Sequence, residues 1–258
     1  MLKNLFLRAP SAEDQLSRGL ALLDDGVVEP ALDILVPLAK AGHARAQAEV
    51  AIVLLTVPGV PQDDAAAVKW LIASAMQGDP IGERMLGFVY LDGRGVPVDA
   101  VTARDLLKKA AAKGDALAAE QLAELLGDPD SPHVDLSAAR TYAEEAAKLG
   151  RPDAMLRLGR MLYDGTGGDA DPEGAIWWWT RAAEAGSADA LVLLGVARAL
   201  GRGVSRAPVA GCALVCKGRD AGSALAGTYL RGLKGGLSAV QQAEAEARRV
   251  EPLAELLP

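Results

Sequence analysis

Residues 154–190 read AMLRLGRMLYDGTGGDADPEGAIWWWTRAAEAGSADA, and the register of this stretch decides the fold. Three of the chain's four tryptophans stand side by side within it, at 177–179. A tryptophan carries roughly 150–250 Å² of surface, so which of the three face inward fixes how the segment packs. The marks around them recur. Gly42, Gly78, Gly114, Gly150, Gly186 and Gly222 follow one another at steps of 36 residues with no insertion. Four residues after each come Ala46, Gly82, Ala118, Ala154, Ala190 and Ala226. Asp63, Asp99, Asp135 and Asp171 keep the same step, as do Ala31, Ala67, Ala103, Ala139 and Ala175.

Each mark has a physical role. The Asp stands directly before a helical pattern, where its carboxylate accepts hydrogen bonds from exposed amides as an N-cap. Pro172 after Asp171 suits the first helical position. The periodic Gly ends that helix, where a left-handed residue is wanted and a side chain would cost roughly 1–2 kcal/mol. A second helical pattern follows it and stops at a glycine-rich turn. Each repeat is therefore helix A, turn, helix B, turn, with no convincing strand pattern. Leu86, Leu122, Leu158 and Leu194 mark the packed face of helix A. Gly87, Gly159 and Gly195 beside them let a neighbouring helix approach.

The tryptophans sort by the same register. Trp178 falls in line with Trp70, Leu106, Tyr142 and Leu214, and Trp179 with Leu71, Leu107 and Val215, so both belong to the core. Trp177 falls in line with Lys69, Asp105, Thr141 and Ala213. At 100° per residue it points away from the apolar stripe, so it is expected to be at least partly exposed. Hairpins of this kind cannot bury their faces alone, so they stack. The expected fold is all-α: a right-handed α/α superhelical solenoid of about six to seven repeats of 36 residues. Residues 1–41 read as divergent helices capping the array, 42–226 as the solenoid and 227–258 as a polar capping helix and tail.

Composition agrees with a folded array. Of 258 residues, half are apolar, 24 % charged and only 4 % aromatic, so a core forms from small side chains. No stretch approaches the ~18 apolar residues of a membrane span. Arg8 interrupts the apolar N-terminus before an export signal takes shape, which leads us to expect a cytoplasmic protein. Cys212 and Cys216 sit four apart on one helix and read as small buried side chains rather than a disulfide framework.

The unit A-x3-L-G-x2-Y-x2-G-x-G-V-x2-D-x3-A-x2-W-x3-A-A-x2-G-x3-A resembles the Sel1-like repeat family, relatives of tetratricopeptide solenoids. Residues 82–118 carry it almost whole, through Leu86, Gly87, Tyr90, Gly93, Gly95, Val96, Asp99, Ala103, Ala110, Ala111 and Gly114. The resemblance covers about 42–226. It implies a non-catalytic scaffold or adaptor that presents a concave helical surface to a partner protein or peptide. A dedicated inhibitor or immunity protein sequestering a single toxin is the alternative. One secreted branch of the family is cysteine-rich, and this chain does not share those cysteines.

Signals for chemistry are weak, and no enzyme activity or cofactor is expected. The clusters at 93–95, 165–168 and 201–203 lack a preceding strand and a following GK[ST], and their phase explains them as turns. DADPEG at 169–174 begins like a calcium loop, but its twelfth position is Thr180 rather than the bidentate Glu such a loop needs. Asp128, Asp130, His133 and Asp135 read as a solvated acidic turn.

The partner surface is read from charge and from variation between repeats. Residues 190–235 hold seven basic side chains (Arg198, Arg202, Arg206, Lys217, Arg219, Arg231, Lys234) against Asp220, a net of +6, although the whole chain carries −7. An acidic partner at that end is expected from the field such an imbalance creates. Nucleic acid is not, since only Tyr229 offers stacking there. On helix A the third, sixth and tenth residues after the small mark vary freely: Glu49/Ile52/Thr56, Met85/Phe88/Asp92, Gln121/Glu124/Asp128, Arg157/Arg160/Asp164 and Leu193/Val196/Leu200. By analogy with related solenoids this row lines the concave face. Phe88 with Met85 and Asp92 is the expected anchor. Glu124, Arg157, Arg160, Arg198 and Arg202 are the expected polar contacts, and Trp177 is a separate exposed one.

Overall fold

The carboxylates at the 36-residue step do what helix starts require. Asp63 accepts from the Ala66 amide, Asp99 from Val101 and Thr102, Asp135 from Ala138 and Asp171 from Gly174, and each opens a helix at the next residue. The periodic glycines close these helices with positive φ, from 76° at Gly78 to 96° at Gly42, a region other residues enter only with strain. These contacts come from a computed structural model, which describes residues 10–130 and 134–257. Among the described residues there are fifteen helices and no strand.

Two compact units divide the chain, at Ala118 and Ala119. The first holds α1 (Ala12–Asp24), α2 (Val28–Lys40), α3 (Ala44–Thr56), α4 (Asp64–Met76), α5 (Pro80–Asp92) and α6 (Ala100–Ala111). Within it α1 pairs with α2, α3 with α4 and α5 with α6, and each pair packs on the next. Two clusters fill its interior. One gathers Leu16, Leu35, Leu38 and Val50, the other Leu55, Val68, Leu71, Leu86 and Val89.

The division falls inside α7 (Ala116–Gly127). The second unit continues with α8 (Leu136–Lys148), α9 (Pro152–Asp164), α10 (Pro172–Glu184), α11 (Ala188–Leu200) and α12 (Pro208–Asp220). It ends with α13 (Ala226–Gly235), α14 (Ala239–Arg248) and the single turn α15 (Leu253–Leu256). Here α9 pairs with α10 and α11 with α12, while α13, α14 and α15 all pack on α12. A capping box at Ser238 and Gln241 starts α14. The chain is thus an all-α solenoid of antiparallel helical hairpins.

Inside each hairpin one contact recurs. A buried position on helix B, residues 35, 71, 107, 143, 179 and 215, carries Leu, Leu, Leu, Ala, Trp and Val, and all six side chains are buried. Opposite it on helix A stand Gly87, Ala123, Gly159 and Gly195. A β-carbon added at Gly159 would lie 2.2 Å from Trp179 Nε1, and one at Gly195 would lie 2.5 Å from the Gly211 carbonyl oxygen. Missing side chains on one helix make room for large ones on the other.

The tryptophans follow their register. Trp179 is 2 % and Trp178 9 % exposed, while Trp177 is 53 % exposed. Trp179 donates from Nε1 to the Leu156 carbonyl at 3.2 Å, which satisfies its one polar atom inside the core. Cys212 and Cys216 are free thiols, both fully buried. One expectation fails. Glu49, placed by the row on the variable face, is buried at 8 % and paired with Arg45 at 2.7 Å. It lies under α5, with which α3 also packs, and burial raises its carboxyl above the usual range against the pull of Arg45.

Two predictions follow from these contacts. Gly159→Ala should destabilise the fold by ~1–3 kcal/mol, the usual cost of overpacking, read as a lower urea midpoint at unchanged m-value. The second concerns acid. Hydrogen bonds from the Thr102 hydroxyl and from the Thr102 and Val101 amides hold the Asp99 carboxyl below the usual carboxylate range. Its stabilising contribution is complete above the ordinary carboxylate pKa and is lost as pH falls through the depressed one. Asp99→Asn keeps an acceptor at the cap but no proton equilibrium, so the fall in urea midpoint between about pH 5 and about pH 2.5 should be smaller than in the parent chain.

Candidate functional site

The A helices of the second unit leave a cavity of about 330 Å³ on one face. Arg160, Tyr163 and Asp164 reach it from α9, Trp179 from α10, and Leu193 and Val196 from α11; Leu225 and Tyr229, at the start of and within α13, close it. Four of these residues, Arg160, Asp164, Leu193 and Val196, belong to the variable row read from the sequence. The Tyr163 and Trp179 rings meet with centroids 5.2 Å apart and planes at 40°, a tilted arrangement that suits two quadrupoles. Burial raises the Tyr163 phenol above its ordinary pKa, and the positive charge of Arg202 works against that rise. A shallower hollow of about 340 Å³ adjoins, formed by Asp153, Leu156, Arg157 and Met161, with Arg160 shared between the two.

The expected contact residues divide into groups. Arg157 and Arg160 lie together on α9, and no ion pair among the described residues engages either. Arg202 lies with its guanidinium carbon 4.2 Å from the Tyr163 ring centroid and donates to the Tyr163 carbonyl, so it props one wall of the cavity. Arg198 turns back into the loop after α11, donating to the Ser205 carbonyl at 2.7 Å and to its hydroxyl. Burial, with repulsion from Arg248, lowers its pKa. Glu124 is exposed on α7 and is not among the cavity residues. Trp177 lies on α10 with the Arg181 guanidinium 5.0 Å over its ring and Trp178 edge-on at 4.5 Å.

Met85, Phe88 and Asp92 belong to α5 in the other unit. Phe88 is half-buried and lies under the Arg84 guanidinium at 5.7 Å, while Asp92 is exposed. Arg84 also donates to Met85 Sδ at 3.4 Å and pairs with Asp115 at 3.0 Å. The packing of this aromatic is therefore tied to a salt bridge that is itself mostly buried.

Tyr163, Trp179, Leu225 and Tyr229 were not expected as site residues. Trp179 was read as core, which it is, and the same ring forms the cavity's inner wall. Tyr229 had a usable signal: it stands 36 residues after Leu193 and so extends the variable row by one repeat. Tyr163 and Leu225 fall outside the row and carried none. The charge imbalance of 190–235 is also smaller in space than in sequence. Glu246 of α14 pairs with Arg219 at 2.9 Å and with Lys234 at 3.8 Å, and Asp220 with Arg219 at 2.7 Å.

No arrangement in this region has the parts of a metal centre. Among the described residues no group of three His, Cys, Asp or Glu side chains is disposed to hold an ion. His133, from the acidic turn, lies outside the described residues. No helix of the described residues is long and apolar enough to cross a membrane.

The Sel1 repeat model matches residues 44–79, 80–115, 116–150 and 152–187, more than half of the chain. The chain belongs to the Sel1 repeat family. The matched repeats correspond to the hairpins α3–α4 through α9–α10, so α9 and α10 bring the last of them to the cavity while α11 and α13 lie beyond. A Sel1 repeat protein from Oxalobacter formigenes is similar in structure, with a TM-score of 0.74 at 22 % identity, over 90 % of this chain and 95 % of that one. A Sel1 repeat protein from Klebsiella pneumoniae gives 0.52 at 22 % identity, over 72 % of this chain and 92 % of that one. Immunity protein Pa5087 from Pseudomonas aeruginosa gives 0.41 at 18 % identity, over 83 % of this chain and 86 % of that one. Among curated proteins no sequence matches.

The exposure pattern makes an optical prediction. Trp177 should supply the largest share of emission quenchable by acrylamide, since Trp178 and Trp179 are shielded and Trp70 is half-buried. Trp177→Phe should lower the quenching constant, measured by Stern–Volmer titration of the folded protein. An unchanged constant would place Trp177 under a neighbouring helix.

Proposed function

We propose that this Sel1 repeat protein is a non-catalytic scaffold that binds another protein through the variable row of its A helices. The observation that carries the reading is the cavity of the second unit. It opens on one face, and aromatic and aliphatic side chains line it beside arginines that form no ion pair with a carboxylate among the described residues. Concave apolar sites with a few placed polar groups are where ligands bind, and unpaired Arg beside exposed aromatic surface is the usual composition of a binding hot spot. Among the described residues lining the cavity, Asp164 is the one carboxylate and no His or Cys accompanies it, a lining that favours binding over turnover. The contact made at this end is acidic on the partner's side. Phe88 and Met85 on α5 provide a second contact of the same scaffold, and Trp177 a third. We place the protein in the cytoplasm, a reading supported by its two free thiols, which suit a reducing compartment.

The test is capture of a partner followed by substitution. The tagged chain should retain a protein in fixed stoichiometry, shown by size-exclusion chromatography of the purified pair. Arg160→Glu should weaken that complex at least about tenfold, with unfolding free energy unchanged within ~0.5 kcal/mol, because Arg160 is exposed and unpaired. Phe88→Ala tests the α5 contact in the same way. Undiminished capture by both variants would overturn the assignment of the surface.

A further inference from the structure

We propose that the cavity between α9, α11 and α13 takes one aromatic side chain from an acidic linear segment of the partner; this rests on the protein-binding reading above and deepens it. Three observations carry it. The first is size. An apolar cavity of about 150 Å³ holds benzene, so a cavity of about 330 Å³ has room for a Phe or Tyr ring together with the backbone that delivers it. It is too small for a second helix packed along its length.

The second is the lining. Tyr163 and Trp179 present a tilted aromatic pair at 5.2 Å, against which an incoming ring can pack edge to face. Leu193, Val196 and Leu225 supply aliphatic surface, and Tyr229 stands at the mouth, 36 % exposed. The Arg202 guanidinium, 4.2 Å from the Tyr163 ring centroid, holds that ring in place as a wall for the incoming side chain.

The third is charge. Arg160 borders both the cavity and the adjoining hollow, where Arg157 stands one turn away. Neither has an anionic partner among the described residues, and a guanidinium presents a planar fork that carboxylates fit. At the C-terminal end Asp220 and Glu246 are already engaged with Arg219 and Arg249. A segment leaving the cavity across α9 therefore meets two free arginines and would place carboxylates on them. Asp153 and Asp164 at the edges repel any anion set close to them, so the segment's carboxylates fall at Arg157 and Arg160, a spacing a flexible peptide can meet more readily than a continuous run of phosphates. A peptide is the better fit.

The test is fluorescence anisotropy with labelled heptapeptides against the full chain. DEDFDED should bind saturably with a Kd of about 1–100 µM, an ordinary range for a single anchored segment. DEDADED should bind at least about tenfold more weakly, since the anchor is gone, and KRKFKRK should not bind measurably in the same range. Raising the salt should weaken DEDFDED, because exposed arginines are screened. In the protein, Arg160→Glu and Tyr229→Ala should each raise its Kd several-fold. Both sites are exposed, and an unaltered circular dichroism melt certifies that each variant is folded. Equal affinity for DEDFDED and DEDADED would remove the aromatic anchor. Equal affinity for DEDFDED and KRKFKRK, or tighter binding of labelled oligothymidine, would remove the acidic peptide. A protein partner captured in an Arg160-dependent way, yet not displaced by DEDFDED, would overturn this inference and leave the scaffold reading standing. Failure of Arg160→Glu to affect any capture would instead overturn the scaffold surface itself.

Discussion

The structure depends on how closely helix A and helix B of one hairpin can approach. At Gly159 there is no space for a methyl group, because the Trp179 indole occupies it. At Gly195 the Gly211 carbonyl oxygen does. On α7 and α8 the corresponding positions are Ala123 and Ala143, both buried. What recurs along the array is a small residue at the helix A position, while the buried helix B position varies from Ala to Trp. Interiors packed like organic crystals allow little else, and a solenoid compounds the constraint, since each hairpin packs only on its neighbours.

That constraint explains how much of the fold was legible in the sequence. Asp99 and Asp171 could be read as caps, and Gly150 and Gly186 as left-handed turns, because each satisfies a local requirement of the backbone. Trp178 and Trp179 could be placed inside, and Trp177 outside, because helical register is local too. Glu49 misled for the opposite reason. Its register puts it on the variable face, but that face is shared with the next A helix, and burial there is decided by a neighbour about 36 residues away. The Arg45 guanidinium at 2.7 Å makes the buried carboxylate tolerable, and nothing in a repeat comparison announces such a pair.

Charge was legible only in part. Counting along 190–235 gives a strongly basic segment, yet α14 folds back on α12 and brings Glu246 to Arg219 and Lys234. The cations left without a counterpart include Arg157 and Arg160, which lie before that segment begins. A window in sequence measures composition, whereas an approaching molecule experiences what remains after internal pairing. Arg202 and Arg198 illustrate the difference. Both sit in the basic segment, but one stacks on Tyr163 and the other binds the Ser205 carbonyl, so their guanidinium groups are already used in shaping loops.

The cavity itself arises where the repeat stops repeating. Helix α11 begins two residues after Gly186 and runs for 13 residues, but α13 begins four residues after Gly222 and runs for 10. Its first residue has no side-chain cap before it. Gly227 takes the place that Met155 and Leu191 hold, buried, in the two preceding A helices, and Gly232 takes the place of Val196. A β-carbon at either glycine would meet no atom within 4 Å. Unlike Gly159, these glycines do not admit a neighbour; they leave space empty. Each costs α13 about 1 kcal/mol relative to alanine in helix propensity, and no close approach in the folded chain offsets it. The short α13 reaches the cavity through Leu225 and Tyr229, and beneath them Leu193, Val196 and the edge of Trp179 share that pocket with Arg160.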